Sequence, residues 1–493
     1  MDIQFEESAV SVYREQASLS KRTHFTMESV VPDTKDDIGR ILSVRPALYY
    51  RSKELTSHGA QLTGEAAATV FYVNETEDAV SCVRLSQSFS LDYELPNLEG
   101  GEELQVRLSP GSVQARALNP RKLSVDLEVQ GDLAVSARTE LVVSQRLPEG
   151  AWAPVHLQSG ELETVQTAAL CEKNFTVTDQ LAFPDSAPRP REIMAAALRY
   201  RVGETENVGG RLLVKGQALL TLDYLPEDGS VPGSEHFTVP FSQLIELGCE
   251  DVSEARVQIE PTSEYIELID AIDGQKLLSF ELHALAQVRA LRAQTLHYFS
   301  DAYSNLMPCS YSVAEQTLVQ SEKNRSRSFT AEESFELPEE FGELVRLYAT
   351  LNPAAPNGAS VSVDMLCRTA EGKLFPMRRG IVLTPPETET PTDAVAFELS
   401  GVDWQLNEKN LALRLQMNQS YQERRPACCR RLCALRLEEE KAFDTSAYPA
   451  VTAVWAETES VWELAKMYHS SPEAIQALNE DLSRRPVFVP KAE

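Results

Sequence analysis

No apolar run in this 493-residue chain approaches the roughly 20 residues needed to cross a bilayer as a helix. The opening "MDIQFEESAVSVYREQ" leads with acid instead of a basic region and an apolar segment, so no signal peptide is expected. Cations are in deficit: 46 Lys and Arg face 74 Asp and Glu, a formal net charge of −28. Such a surface repels nucleic acid and anionic lipid, and no Lys/Arg cluster offsets it locally, which excludes nucleic-acid binding. Histidine is scarce, seven in all and scattered singly, with no His-Glu-x-x-His spacing. Nucleophile elbow, phosphate loop and dinucleotide fingerprint are missing too. No enzymatic activity, cofactor or metal is therefore expected. The eight cysteines include the adjacent pair Cys428-Cys429, ill placed for ordinary disulfides, which favours a reducing cytosol. Cys428, Cys429 and Cys433 suggest a metal site, but no fourth ligand lies nearby. Adjacent residues of a strand also face opposite ways, so these are read as buried thiols. Asp33, Asp36 and Asp37, interleaved with Lys35 and Arg40, read as a solvated turn.

What the chain does have is repetition. "VPDTKDDIGRIL" from Val31 is echoed by "FPDSAPRPREIM" from Phe183, each with a Pro-Asp pair followed at one distance by two apolar residues. Gly59 and Gly64 match Gly210 and Gly216, and Tyr72 and Tyr224 each lie eight positions after the second glycine. "NPRKLSVDLEVQGDLAV" from Asn119 pairs with "DGQKLLSFELHALAQV" from Asp273. A weaker third copy carries "LPEEFGELVRLY" from Leu337, "VSVDMLCRTAEGK" from Val361 and "NEKNLALRLQMNQSY" from Asn407. Three kinds of marker in one order mean one unit copied at a spacing near 150 residues.

The unit reads as β. Leu123, Val125, Leu127 and Val129 alternate, as do Leu411, Leu413, Leu415 and Met417, the period of a half-buried strand. The stripe Leu212, Val214, Ala218, Leu220, Leu222, Tyr224 is interrupted at Gly216, where a bulge or a close backbone approach is expected. Turn pairs Asn119-Pro120, Asp273-Gly274, Asp228-Gly229 and Glu371-Gly372 punctuate the strands. The expected fold is mainly β: tandem antiparallel sandwich-like repeats at 29–145, 172–293 and 330–440, after an N-terminal arm over 1–28. The segment Ser321–Ser334 reads as a linker or an edge strand.

The end of the chain, 449–493, departs from this pattern. An alternating strand precedes a helix with Val461, Leu464, Ala465 and Tyr468 on one face. A second helix is capped by Ser471, starts at Pro472 and is expected to turn Ile475 and Leu478 inward. "VFVP" closes a small βααβ module. This module resembles the LysM family. Ser460-Val461-Trp462-Glu463-Leu464-Ala465 stands at its Thr-Leu-Trp-x-Ile-Ala run, Leu478-Asn479 at its Leu-Asn, and Phe488-Val489-Pro490 at its terminal Ile-Pro. Where the family has Gly-Asp before the Thr, this chain has Thr458-Glu459, and the loop after Asn479 is short. The repeats resemble the SPOCS domain, a spore-coat-associated β domain, through "VPDTKDDIGRIL", "NPRKL" and "VKGQALLTLDY" with "VPFSQLIEL".

SPOCS repeats followed by one LysM domain imply a spore coat assembly protein of the mother-cell cytoplasm. Such a protein docks at the forespore surface onto a polymerising coat ATPase, and contacts other coat proteins. The LysM-like module is the docking piece, with Thr458, Glu459, Ser460, Trp462 and Asn479 as partner-binding residues. Trp462 itself lies beside the apolar helical face and is read as plugging the module's core. The alternative partner is peptidoglycan, which LysM loops commonly grip through N-acetylglucosamine chains. Here the altered loops weigh against it.

Overall fold

The computed structural model describes residues 2–491 except 57, 96–99, 149–154, 228, 230, 273, 354–358, 388–394, 445, 447 and 456–459. The chain is mainly β, built of antiparallel sheets with a small helical part at its C-terminal end. A short strand β1 (Asp2–Gln4) precedes three units of six strands each. Unit 1 contains β2 (Glu6–Val30), β3 (Ile38–Thr56), β4 (Gly59–Asn74), β5 (Val80–Glu94), β6 (Glu103–Asn119) and β7 (Lys122–Arg146). Unit 2 contains β8 (His156–Ala182), β9 (Pro190–Val208), β10 (Arg211–Pro226), β11 (Gly233–Glu246), β12 (Glu254–Asp270) and β13 (Lys276–Tyr303). Unit 3 contains β14 (Cys309–Glu336), β15 (Phe341–Pro353), β16 (Ala359–Thr369), β17 (Leu374–Val382), β18 (Val395–Asn407) and β19 (Asn410–Leu437).

The three units share one topology. In each, strands two, three and four form a meander: β3-β4-β5, β9-β10-β11, β15-β16-β17. In each, the last strand pairs with both the first and the fifth: β7 with β2 and β6, β13 with β8 and β12, β19 with β14 and β18. The two sheets face each other over the alternating residues noted above. Leu123, Val125, Leu127 and Val129 are fully buried, and so are Leu411 and Met417. The weak third copy keeps the register. Ile41, Ile193 and Leu344 pair with Tyr72, Tyr224 and Cys367, so Cys367 stands where the first two units bury a tyrosine. Its meander is shorter, 13, 11 and 9 residues against 19, 16 and 15 in unit 1.

Each recurring marker has a structural job. In the Pro-Asp turn the carbonyls of Pro32, Pro184 and Pro338 accept from the backbone N–H three residues on, at Lys35, Ala187 and Phe341. That turn is tied to the turn before the last strand by a cation. In unit 1 the Arg121 guanidinium donates to Asp37 (2.8 Å), Asp33 (3.1 Å) and the Lys35 and Val31 carbonyls. In unit 2 the polarity reverses, Arg189 donating to the Gly274 carbonyl, and in unit 3 Lys409 reaches the Glu339 carbonyl. The Asp33–Asp37 cluster is thus not a merely solvated turn but a clamp, because Arg121 closes on it from 84 and 88 residues away. Gly64 and Gly216 lie beneath Phe89 and Phe241, whose ring carbons would stand 2.4 Å from an added Cβ. Gly216 also falls at a register shift with β9.

The segment expected to be an N-terminal arm, 1–28, mostly forms β2, and with first strands β2, β8 and β14 the units start at Glu6, His156 and Cys309, ahead of the expected 29, 172 and 330. These first strands are hard to read because they bury little; β2 buries only Val12 and Met27 fully among its 25 residues. Ser321–Ser334 is an edge strand, the second half of β14 paired along β19. Of the expected turn residues, Asp228 and Asp273 lie outside the described residues.

The units close into a ring, each second strand facing the fifth strand of the next unit. Tyr49 on β3 donates to Glu264 on β12 (2.7 Å), Arg199 and Arg201 on β9 pair with Glu398 on β18, and β15 packs on β6. At the centre Leu42, Phe71 and Cys82 meet Met194 and Ala195 of unit 2 and Tyr348 and Leu366 of unit 3. First and last strands are 25–28 residues long and run on beyond the ring. Their far halves share a second core of Val12, Leu141, Leu296, Leu318 and Cys429, with Leu162 packed against it.

Two consequences can be measured. A side chain at 216 meets the Phe241 ring and, at 2.5 Å, the rigid Arg201 carbonyl. Gly216→Val should therefore destabilise the chain by about 1–3 kcal/mol in urea titration, and a native midpoint would disprove the packing argument. At the seam of units 1 and 2, burial pushes the Glu260 carboxyl up to about 7, partly offset by donors from Gln258 and the Leu108 backbone. The folded chain thus holds a proton there that the unfolded chain releases near the ordinary 4.5. This group's stability is full below that value and is lost as pH rises to 7, by about 3 kcal/mol. Glu260→Gln cannot ionise, so it should flatten the slope of stability between pH 5 and pH 7.

Candidate docking site

The C-terminal module consists of β20 (Val451–Val454), α1 (Val461–Met467), α2 (Pro472–Leu478) and β21 (Val487–Pro490), with β20 and β21 paired antiparallel. Ser460 and Glu463 form a reciprocal cap at α1: the hydroxyl accepts from the Glu463 N–H and the carboxylate from the Ser460 N–H. Ser471 caps α2 ahead of Pro472. Val454, Leu464, Ala465, Ile475, Val487 and Val489 fill the core, with Val461 and Tyr468 packed against it. Leu478, expected inward, is 46% exposed. The seven-residue α2 completes its inner face at Ile475 and ends at Leu478, where the chain turns away.

The residues expected to bind a partner are mostly committed elsewhere. Thr458 and Glu459 lie outside the described residues. Ser460 is spent on its cap. Asn479 is a staple: its amide donates to the carbonyls of Ile475 and Phe488 (both 2.7 Å) and accepts from the Phe488 N–H (2.8 Å). Those three bonds hold the end of α2 against β21.

Trp462 does not simply plug the module's core. It lies half-buried between the module and the ring-bearing body, its indole N–H donating to Asp301 (2.8 Å) and Tyr303 packed edge-on with centroids 4.9 Å apart. Lys466, one turn on and therefore on the same helix face, donates to both Asp301 oxygens at 2.7 and 2.8 Å. Tyr311 donates to the same carboxylate (2.7 Å), and the Tyr303 hydroxyl donates to the Ser470 carbonyl (2.9 Å). Asp301 stands at a register shift of β13 against β8, the kind of bulge that re-aims a side chain. Burial pushes its carboxyl up, but the donors from Lys466, Trp462 and Tyr311 more than offset this and hold it below the ordinary value. Sequence spacing pointed to the helix stripe but not to this partner, which lies 161 residues away.

On the opposite side the module leaves an apolar face uncovered. Residues directly opposed in an antiparallel pair share a face, so Ala453 and Phe488 point the same way, as do Val451 and Pro490. The outward row Val451, Ala453, Trp455 continues this face, with Trp455 69% and Phe488 44% exposed. The alternation around Val451–Trp455 is the signal that would have located it.

Elsewhere the chemistry is quiet. No group of three His, Cys, Asp or Glu among the described residues could hold a metal ion. All eight cysteines are unbridged; of the three read as buried thiols only Cys429 is buried, in the shared core of the long strands, while Cys428 is exposed and Cys433 half-buried, because neighbours along β19 face opposite ways. A surface cleft in unit 1, lined by residues including Ile38, Arg40, Glu77 and Asn119, holds an Arg40–Glu77 ion pair. Among the described residues no helix is long and apolar enough to cross a membrane. The chain matches no protein-family model, no curated protein and no solved structure.

Asn479→Ala removes all three bonds of the staple, at a cost of about 1–3 kcal/mol. The module's melting transition should fall while that of the ring holds, and a native transition for the module would show the staple to be dispensable.

Proposed function

We propose that this chain is a non-enzymatic structural adaptor of spore coat assembly, SipL-like in its order of SPOCS-like repeats and a LysM-like module. In this reading it works in the mother-cell cytoplasm at the forespore surface, and its C-terminal module docks onto a polymerising coat ATPase. The observation that carries the docking role is the two-sidedness of the module. One side, with Trp462 and Lys466, is seated on the body through Asp301, and the other presents Val451, Trp455 and Phe488 to solvent. An apolar face of this kind, on a chain otherwise rich in surface carboxylates, suits a protein partner. The commitment of Ser460 and Asn479 to the module's own hydrogen bonds weighs against glycan gripping by those side chains.

The reading makes the outer face of the hairpin the contact surface. Trp455→Glu and Phe488→Glu should each cut recovery of the coat ATPase from sporulating cells at least tenfold, with the module's melting unchanged. Deleting 449–493 should abolish that recovery and displace the protein from the forespore. Retention of the partner by the truncated chain would move the docking role to the β repeats. Sedimentation of the intact protein with insoluble peptidoglycan would favour the wall-binding alternative instead.

A further inference from the structure

The contacts of the module with the body are of two kinds, and they do different work. Tyr303 is an apolar seat, buried among Leu464, Ala465 and Ile475. Asp301 is a polar fastening, its one carboxylate taking the indole N–H of Trp462, the ammonium of Lys466 and the hydroxyl of Tyr311. The module also has contacts of its own that involve neither residue. Its caps, its hairpin pairing and the Asn479 staple are all internal. The fastening is also within reach of water, with Asp301 and Lys466 side chains 21% and 38% exposed.

We infer that Asp301 is a latch: it fixes the module in one orientation on the body, and its opening releases the module as a folded whole and uncovers the α1 face with Trp462. The bulge at Phe299/Asp301 supports a dedicated role, since a regular strand would put Asp301 on one face with Phe299, whereas past the shift Asp301 and Tyr303 keep the regular spacing of one face. The charges facing Asp301 are few. Lys466 comes from α1 and Tyr311 from β14, and Glu473 of α2 acts on neighbouring His156 and Tyr303. With one cation at its centre, the latch is governed by Lys466. The inference concerns the module's seat, so it holds whatever molecule the outer hairpin face recruits.

The chain carries its own reporter. Cys309 packs against both the module's core and the end of the body beneath it, while Cys367 is fully buried inside unit 3. Thiol labelling of the full-length protein, followed residue by residue by mass spectrometry, reads opening of the seat at Cys309 and unfolding of the ring at Cys367. Asp301→Asn and Lys466→Met should each speed Cys309 labelling at least tenfold and leave Cys367 at its native rate. Lys466→Arg keeps the charge and should stay within threefold of native. Cys309 rates within twofold of native in both Asp301→Asn and Lys466→Met would overturn the latch. So would a parallel rise at Cys367, because the module and ring would then open together.

Discussion

Three sandwiches in one chain can cover the faces they expose to one another only by closing a ring, and that closure runs through Arg45. It projects from β3 into the centre, pairs with Asp223 on β10 of unit 2, and lies over the rings of Phe71 and of Tyr348 from unit 3. Asp223 is wholly buried, and burial pushes its carboxyl up against the pull of Arg45 and Arg346. A buried pair is weak evidence for added stability, but losing one partner leaves the other charge stranded, at a cost of about 3–5 kcal/mol. The pair therefore acts mainly on arrangement. An apolar centre would tolerate a rotated or slipped docking of the units, whereas Asp223 has its counter-charge in one docking only.

The seams between units follow the same logic with different chemistry. Between units 1 and 2, Gln287 meets the Val106 backbone as another strand would, accepting from its N–H and donating to its carbonyl. Gln258 adds a donor to the same carbonyl and Glu260 an acceptor for the next N–H along β6. Between units 2 and 3, Glu322 draws Arg256, Arg289 and Arg424 onto one buried carboxylate. Edge strands with open N–H and C=O groups are a liability for aggregation. Side chains that satisfy those groups from a neighbouring unit cover the edge and set the register in one step. Because these two seams use different groups, the copies that form them cannot exchange places. Internal duplication therefore yields one ordered ring and not a mixture.

How much of this was legible depended on which groups carry the signal. The last strands of the units were readable because Leu123 to Val129 and Leu411 to Met417 bury one face for their whole length. The Gly-Tyr spacing was readable because Gly216 must admit the Phe241 ring. First strands such as β2 were lost because a strand covered on one face by a neighbouring ribbon can do with two fully buried side chains. Ser460, read as a partner-binding residue, turned out to cap α1, whereas the cap of α2 at Ser471 was legible, since a cap is local chemistry within four residues. The role of Trp462 was not. Its decisive partner, Asp301, is an unremarkable acid in a long strand until a bulge and a distant helix bring the two together.

The position of the module also follows from the ring. Three last strands run out of the ring on nearly equal terms, offering three ends that need covering. That of β7 stops at Arg146, shortest of the three. That of β19 is closed by β1, whose Asp2–Gln4 pair with Arg436–Ala434, with Ile3 buried against Leu432 and Leu435. β13 ends in Asp301 and Tyr303, which meet Tyr311 of β14 and His156 of β8 on the body side, and the module covers what those strands leave open. A pseudo-symmetric body thus presents one module and not three, because duplication supplied the ends and small differences at their tips decided their use. The outer hairpin face is then displayed once per chain in an orientation the body determines. The proposed adaptor role, one partner site joined to one scaffold, calls for that asymmetry.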